Sequence, residues 1–313
     1  MDTRSRSIDA ALLTCERERR RLIYILLLAA IAAVAAGTLN RRRVTRTIEE
    51  EYAARFMMDR DGIADGAQGF LLPGTNGRGL LLLHGSGDTP QSMRHFGERM
   101  RGAGYTVSAP LLPGHGRSPR AFDTATATDY HDASREALNA LRSSCSWIGL
   151  VGLSMGGALA ARLAVESPDV RVLVLLAPYL APTPEVRWTR NTSRFWSLTV
   201  PYVRGRGEAS VHDTSARALS RAYGTFSAGA LAALVETAQE GRRALPKLTQ
   251  PTLVINSEED NRIPRTLALS ALEMIRAPME PHWVSGCGHV ITVDYCKDTV
   301  ADMVLAFLAR HAG

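Results

Sequence analysis

Four cysteines are few for 313 residues, and none sits in a C-x-x-C pair. That spacing excludes a zinc-ribbon type of metal framework and a disulfide-dense scaffold. Cys287 and Cys296 are close enough to bridge in an oxidising compartment, but free and partly buried thiols are the expectation for Cys15, Cys145, Cys287 and Cys296 alike. Charge of one sign is missing from most of the chain. The formal +6 belongs to residues 1–46, which hold ten Arg against four acids (Asp2, Asp9, Glu16, Glu18). The remainder holds 27 basic and 27 acidic residues. A neutral body removes the main argument for nucleic acid as a partner. Internal repeats and low-complexity tracts are absent after residue 46, and only one apolar run is long enough to cross a bilayer.

That run is LIYILLLAAIAAVAAGTL, 18 uncharged residues at 22–39. At a helical rise of about 1.5 Å per residue it spans about 27 Å, just enough for a bilayer core. Arg17, Arg19, Arg20 and Arg21 precede it, and Arg41, Arg42 and Arg43 follow. A cleaved signal peptide is the first alternative, since Ala33-Val34-Ala35 offers a small-residue site, but three arginines soon after it oppose export and cleavage. A buried core helix is the second, but such a helix has no reason to be bracketed by arginine clusters. The expectation is a single-pass anchor. Six Arg before the run and four after it lean towards the N-terminus inside and the body outside the cytoplasm. The expected organisation is a basic flank at 1–21, the anchor at 22–39, a charged stalk at 40–66 and one folded domain at 67–313.

From Ala67 the pattern becomes short apolar strands separated by turn signals. AQGFLLPG and GLLLLHG flank Thr75-Asn76-Gly77, which reads as a hairpin-like turn. Leu80 to Leu83 is continuously apolar, as in a strand buried on both faces. A helix over 90–103, a strand over 105–109, a helix over 129–142 and a strand over 170–176 follow. Strands alternating with helices indicate a mostly parallel sheet with helices on both faces. Residues 179–247 break the rhythm, with helical stretches near 214–223 and 227–243 and no obvious strand. An insertion there, above the carboxyl ends of the strands, makes a lid. PTLVIN at 251–256, a helix over 264–276, a strand near 281–285 and a helix over 303–310 complete the domain.

The centre of this arrangement is WIGLVGLSMGGALAARLA at 147–164. An apolar strand runs into Gly152-Leu153-Ser154-Met155-Gly156, and a small-residue helix follows at once. This is a nucleophile elbow, G-x-S-x-G in a strand–turn–helix setting. Small residues two before and two after Ser154 allow strand and helix to approach closely. A serine hydroxyl needs a base to take its proton, and the base needs a carboxylate to fix its tautomer. The chain order expected after such a serine is acid, then His. Ser257-Glu258-Glu259-Asp260 follows PTLVIN, and Asp260 is favoured because Arg262-Ile263-Pro264 can start the next helix behind it. Glu258 and Glu259 then face solvent. His289, in Ser285-Gly286-Cys287-Gly288-His289, is the base, since the glycines let that loop bend back over the elbow. The other histidines, including His84 and His115 in early loops, are worse placed. The oxyanion donors expected are the backbone N–H groups of Met155 and of Ser86, in His84-Gly85-Ser86-Gly87.

These pieces carry a family likeness. LLLLHGSGDTPQSM, APLLPGHGRSP, GLSMGG, LPKLTQPTLVINSEEDNRIP and SGCGHVITVD together resemble the α/β-hydrolase superfamily, and within it the bacterial carboxylesterases and monoacylglycerol lipases. The likeness covers the chain from about Ala67 onward. It implies an α/β-hydrolase fold, serine hydrolysis of carboxylic esters through an acyl-enzyme, and a helical cap that shapes an acyl pocket. The triad it implies falls on Ser154, Asp260 and His289, and the oxyanion donors on Ser86 and Met155. The branch often has an aromatic residue where this chain has Ser86, so the pocket wall differs there. The expected substrate is a small-molecule or lipid-like ester, and neither a metal nor a cofactor is required. A thioesterase or peptidase on the same fold is the alternative within enzymes. A catalytically silent, membrane-tethered binding module is the alternative outside them, and the three filled triad positions count against it.

Overall fold

The structure, a computed structural model, describes residues 3–205 and 210–311. Residues 1–2 of the basic flank, 206–209 of the insertion, 312–313 and the side chain of Cys15 lie outside the described residues. The chain opens with α1 (Thr3–Arg55), β1 (Phe70–Leu72), β2 (Arg78–Leu83), α2 (Arg94–Gly102), β3 (Thr106–Ala109), α3 (Pro119–Thr124) and α4 (Ala127–Arg142). Then come β4 (Trp147–Leu153), α5 (Met155–Glu166), β5 (Val172–Leu176), α6 (Pro184–Asn191), α7 (Ser193–Trp196), β6 (Tyr202–Arg204), α8 (Thr214–Leu219) and β7 (Thr225–Ser227). The chain closes with α9 (Ala228–Ala244), β8 (Thr252–Ser257), α10 (Arg265–Leu272), β9 (Met279–Val284) and α11 (Lys297–Arg310).

Seven strands form one sheet in the order β1-β3-β2-β4-β5-β8-β9. All neighbours are parallel except β1, which joins β3 antiparallel at the edge. The central strands β2, β4, β5 and β8 are buried almost throughout, which is why they read as unbroken apolar runs rather than as alternation. Two hydrophobic clusters cover the two faces. One gathers α4, α5 and α9 around Leu81, Leu150 and Leu173; the other gathers α2 and α11 around Leu80, Val151 and Val172. Leu80 and Leu81 are neighbours in sequence and belong to opposite clusters, as a pleated strand requires.

Three expectations need correction. The segment around Thr75-Asn76-Gly77 does not close a hairpin. Thr75 N–H and Asn76 N–H both donate to the Gly104 carbonyl, at 2.8 and 3.0 Å, so the chain crosses the start of β3 instead of doubling back. β1 pairs with β3 (Phe70 opposite Ala109), which leaves β2 free to take β3 and β4 as parallel neighbours. The insertion does contain strands: β6 and β7 form an antiparallel ribbon, with Tyr202 opposite Ser227 and Arg204 opposite Thr225. At three residues each they are too short to show a period-two signature. Cys287 and Cys296 are not free thiols; they form a disulfide with their Cα atoms 5.9 Å apart. The loop between them folds back on itself, which the sequence spacing alone does not reveal. Cys145 is free and buried.

The last helix of the insertion, α9, lies along α5 as part of the core. Gly241 is the point of closest approach, where a Cβ would sit 2.6 Å from the Ala158 backbone. No flexible side chain is available there to yield. Gly241→Ala is expected to lower stability by roughly 1–3 kcal/mol through overpacking, read as a shift of the urea unfolding midpoint at unchanged m-value.

Candidate active site

β4 delivers Ser154 to the carboxyl edge of the sheet and α5 begins at the next residue. Ser154 has φ 54° and ψ −117°, a positive-φ conformation rare outside glycine. Such a backbone costs on the order of 1–3 kcal/mol and persists only where its surroundings over-determine it. Here they do. The Ser154 N–H donates to Leu176 O at 2.9 Å, and its carbonyl accepts from the N–H groups of Gly157 and Tyr179, each at 2.9 Å. A Cβ on Gly156 would lie 2.0 Å from the Leu83 carbonyl oxygen, and one on Gly152 2.2 Å from that of Gly156. Both glycines are therefore required by contact with backbone.

Asp260 and His289 come from the loops after β8 and β9, and both reach Ser154. The Ser154 hydroxyl donates to His289 Nε2 at 2.8 Å. His289 Nδ1–H donates to Asp260 Oδ2 at 2.7 Å. This tautomer follows from Asp260 being an acceptor. Burial pushes its carboxyl up, but the charge and hydrogen bond of His289 and the N–H groups of Ile263 and Arg262 outweigh that and hold it below the ordinary value. Those two N–H groups reach Oδ1 at 2.9 and 2.7 Å. The neighbouring acids go elsewhere: Glu258 pairs with Arg265, and Glu259 accepts from Gly286 N–H at 3.0 Å.

Met155 begins α5, so its N–H lies at the positive end of a 12-residue helix. Ser86 lies across from it, after Gly85, whose Cβ position is 3.4 Å from Ser154 Cβ. The Ser86 hydroxyl oxygen is buried and has no hydrogen-bond partner among the described residues. Ser154, Ser86, Asp260 and His289 all line a cavity of about 720 Å³. Its walls include Val186 from α6, Val211, and Phe226, Leu231 and Leu234 from β7 and α9. Among the described residues no group of three or more His, Cys, Asp or Glu could hold a metal ion.

Five residues that sequence reasoning left without a role hold this site in shape. Asp294 is fully buried and accepts four backbone N–H groups, from Gly288 (2.8 Å), His212 (2.7 Å), Asp213 (2.8 Å) and Tyr295 (2.9 Å). Burial would raise its carboxyl, but these four bonds keep it low. It ties the His289 loop to the insertion. The Cys287–Cys296 disulfide braces the same loop from the other side. His84 and His115, buried and uncharged, pin the Ser86 loop. Leu112 N–H donates to His84 Nε2 at 3.1 Å, and Gly87 N–H to His115 Nε2 at 3.0 Å. Burial drives both imidazoles down, His115 to about 4. Asp88 lines the cavity, and burial there pushes its carboxyl up to about 6 against hydrogen bonds from Ser92 and Thr89.

The sequence profile of the alpha/beta hydrolase family matches residues 80–303. The chain belongs to the alpha/beta hydrolase family. Among its relatives are lipases and esterases. A thermostable monoacylglycerol lipase of Bacillus sp. (strain H-257) is 28% identical over 244 residues, 75% of this chain and 92% of the relative. A carboxylesterase of Bacillus subtilis (strain 168) is 24% identical over 241 residues, 74% of this chain and 93% of that protein. A solved structure of the metagenome-derived lipolytic enzymes LipS and LipT superposes with a TM-score of 0.73 at 28% identity, covering 80% of this chain and 100% of the other. The monoacylglycerol lipase of Paleococcus ferrophilus shares the fold at a TM-score of 0.67 and 17% identity, over 78% of this chain and 98% of that one. The chain is thus a lipase- and esterase-like hydrolase, with an N-terminal apolar helix added to the shared domain.

Asp88 gives the site a pH signature. A carboxyl raised in the folded state stabilises the fold below its unfolded value, and that contribution is lost as pH rises towards 6. The wild-type melting temperature is therefore expected to fall relative to that of Asp88→Asn between pH 4 and pH 7. Parallel melting curves across that range would contradict the assignment.

Proposed function

We propose that the protein is a serine hydrolase that cleaves carboxylic esters with a lipid-like acyl chain, and that α1 holds it to a membrane. The observation that carries the catalytic reading is the continuous hydrogen-bonded line from Ser154 through His289 to Asp260 at the floor of a largely apolar cavity. A donor–acceptor chain of this geometry turns a weakly acidic hydroxyl into a nucleophile without a metal. Ser154 Oγ bonds to the ester carbonyl carbon as its proton passes to His289 Nε2. The carbonyl oxygen becomes an oxyanion, and the N–H groups of Ser86 and Met155 take it. Asp260 stabilises the imidazolium without accepting its proton. The C–O bond to the alcohol then breaks, and the leaving alkoxide takes the proton from Nε2. Water repeats the sequence on the acyl-enzyme: Nε2 takes its proton, the carboxylic acid departs, and the proton returns to Ser154. A cavity of about 720 Å³ walled by Val, Leu and Phe side chains accepts an acyl chain.

Ester hydrolysis, rather than the thioester or peptide alternatives, is favoured by the lipase and carboxylesterase names of the relatives. Ser154→Ala is expected to lower kcat for a short p-nitrophenyl ester by on the order of 10⁴ or more with an unchanged melting temperature. Turnover that survives the substitution would sink the assignment.

Three features support the anchor. Residues 22–39 lie outside the core: Leu28 is 66 % exposed and Val34 70 % exposed, a surface that water disfavours. That exposure counts against the buried-core-helix alternative. The helix also continues unbroken past Ala33-Val34-Ala35 to Arg55, where Tyr52 stacks on Tyr223 with ring centroids 4.9 Å apart. The disulfide fits a domain on the oxidising side of the membrane, the orientation that the flanking arginines favour. The full chain is expected to stay with membranes through carbonate washing, whereas a chain beginning at residue 59 is expected to be released.

A further inference from the structure

One stretch of the insertion carries apolar side chains that stand exposed among the described residues. Between α6 and β6, Trp188, Phe195 and Leu198 are 69, 61 and 64 % exposed, and Val200 is exposed beside them. The same stretch, residues 186–200, holds Arg187, Arg190 and Arg194 and no acidic residue. Apolar and basic side chains interleaved on one surface are the composition of segments that lie in the headgroup region of an anionic bilayer.

Its position is decided by its contacts with α1. A Cβ on Gly37, inside the apolar run, would lie 2.9 Å from Thr199 Cγ2. Asn40 Nδ2 donates to Thr199 O at 2.8 Å, and the Arg41 guanidinium donates to Ser197 O. Residues 197–199 therefore sit beside the last turn of the run and the first arginines after it. If 22–39 spans the bilayer, this level is the bilayer's boundary, since the run ends two residues beyond Gly37, or about 3 Å at the helical rise. Further along, Glu51 pairs with Arg204 at 3.5 Å, and the Arg55 guanidinium donates to Ser220 O and Ala222 O, each at 3.2 Å. α1 thus grips the insertion along its length and fixes its height.

We propose that the α6–α7 segment is a second membrane contact, seated in the interface of the same anionic bilayer that holds α1. The inference rests on the anchor reading above. Its consequence concerns substrate entry. α6 shows Val186 and Thr189 to the cavity and Trp188 to the outside. With Trp188 in the interface, one helix separates the lipid phase from the acyl pocket. A monoester could then enter from the bilayer without crossing water.

The test uses the full chain reconstituted in phosphatidylcholine–phosphatidylglycerol vesicles, with and without acyl-chain-brominated lipid as a contact quencher. The Trp188 signal is the difference in emission between wild type and Trp188→Phe. Bromolipid is expected to quench that difference by about twofold or more, as for an indole at the acyl boundary. Phe195→Asp/Leu198→Asp is expected to slow hydrolysis of a vesicle-embedded long-chain monoester by roughly tenfold while leaving a water-soluble butyrate ester unaffected. An unquenched Trp188 in protein that resists carbonate extraction overturns the proposal and leaves the anchor standing. If carbonate strips the wild-type chain from vesicles, the anchor reading has failed, and the proposal with it. The quenching readout does not depend on the aspartate variant folding.

Discussion

The close approach of β4 and α5 to the β2 strand end is the constraint from which the rest follows. Gly156 lies so near the Leu83 carbonyl that no side chain fits, and Gly152 lies equally near Gly156. That proximity forces the turn at Ser154 to be sharp and its φ positive. The reward is position: the hydroxyl stands clear of the sheet edge with a helix N-terminus beneath it. Once it is there, the loops after β8 and β9 need only deliver a carboxylate and an imidazole to one point. Parallel neighbours do this naturally, because their carboxyl ends emerge side by side.

Delivering a loop is not the same as holding it. The His289 loop is glycine-rich and would wander, and three devices oppose this. The disulfide closes it, Asp294 collects four backbone N–H groups around it, and Asp260 fixes the imidazole itself. Two of the N–H groups on Asp294 belong to His212 and Asp213 in the insertion, so the base loop and the lid share one anchor. The insertion in turn is gripped by α1. Contacts therefore link the apolar N-terminal helix to the loop that carries His289, through Arg55, the insertion and Asp294.

Much of this was legible in the chain. The elbow announces itself because so sharp a turn needs glycine at 152 and 156, where a Cβ would meet backbone. Its spacing to Ile263 and Pro264 favours Asp260 over Glu258 and Glu259, and Asp260 is the carboxylate that meets His289 Nδ1. The strand core read correctly because full burial leaves unbroken apolar runs. What stayed hidden depends on partners distant in sequence. The edge strand at 70–72 pairs with β3 rather than with the nearer strand, and a turn signal cannot say which neighbour a strand will take. The β6–β7 ribbon is too short to show a period. The disulfide depends on a loop returning on itself. Asp294 gives no motif, since all four of its partners are backbone N–H groups. His84 and His115 looked like spare histidines, and are structural acceptors that hold the Ser86 loop. The docking of α1 on the insertion rests on scattered contacts at Gly37, Asn40, Arg41, Glu51, Tyr52 and Arg55, which no pattern marks.

The central claim is that Ser154 is the nucleophile. Its most direct test is to treat the full chain with a fluorophosphonate and locate the adduct by peptide mass spectrometry. A single modified residue is expected, Ser154, on the peptide containing Gly152-Leu153-Ser154-Met155-Gly156, with modification abolished when the protein is unfolded first. A folded protein left unmodified, or modified at another serine, would contradict it.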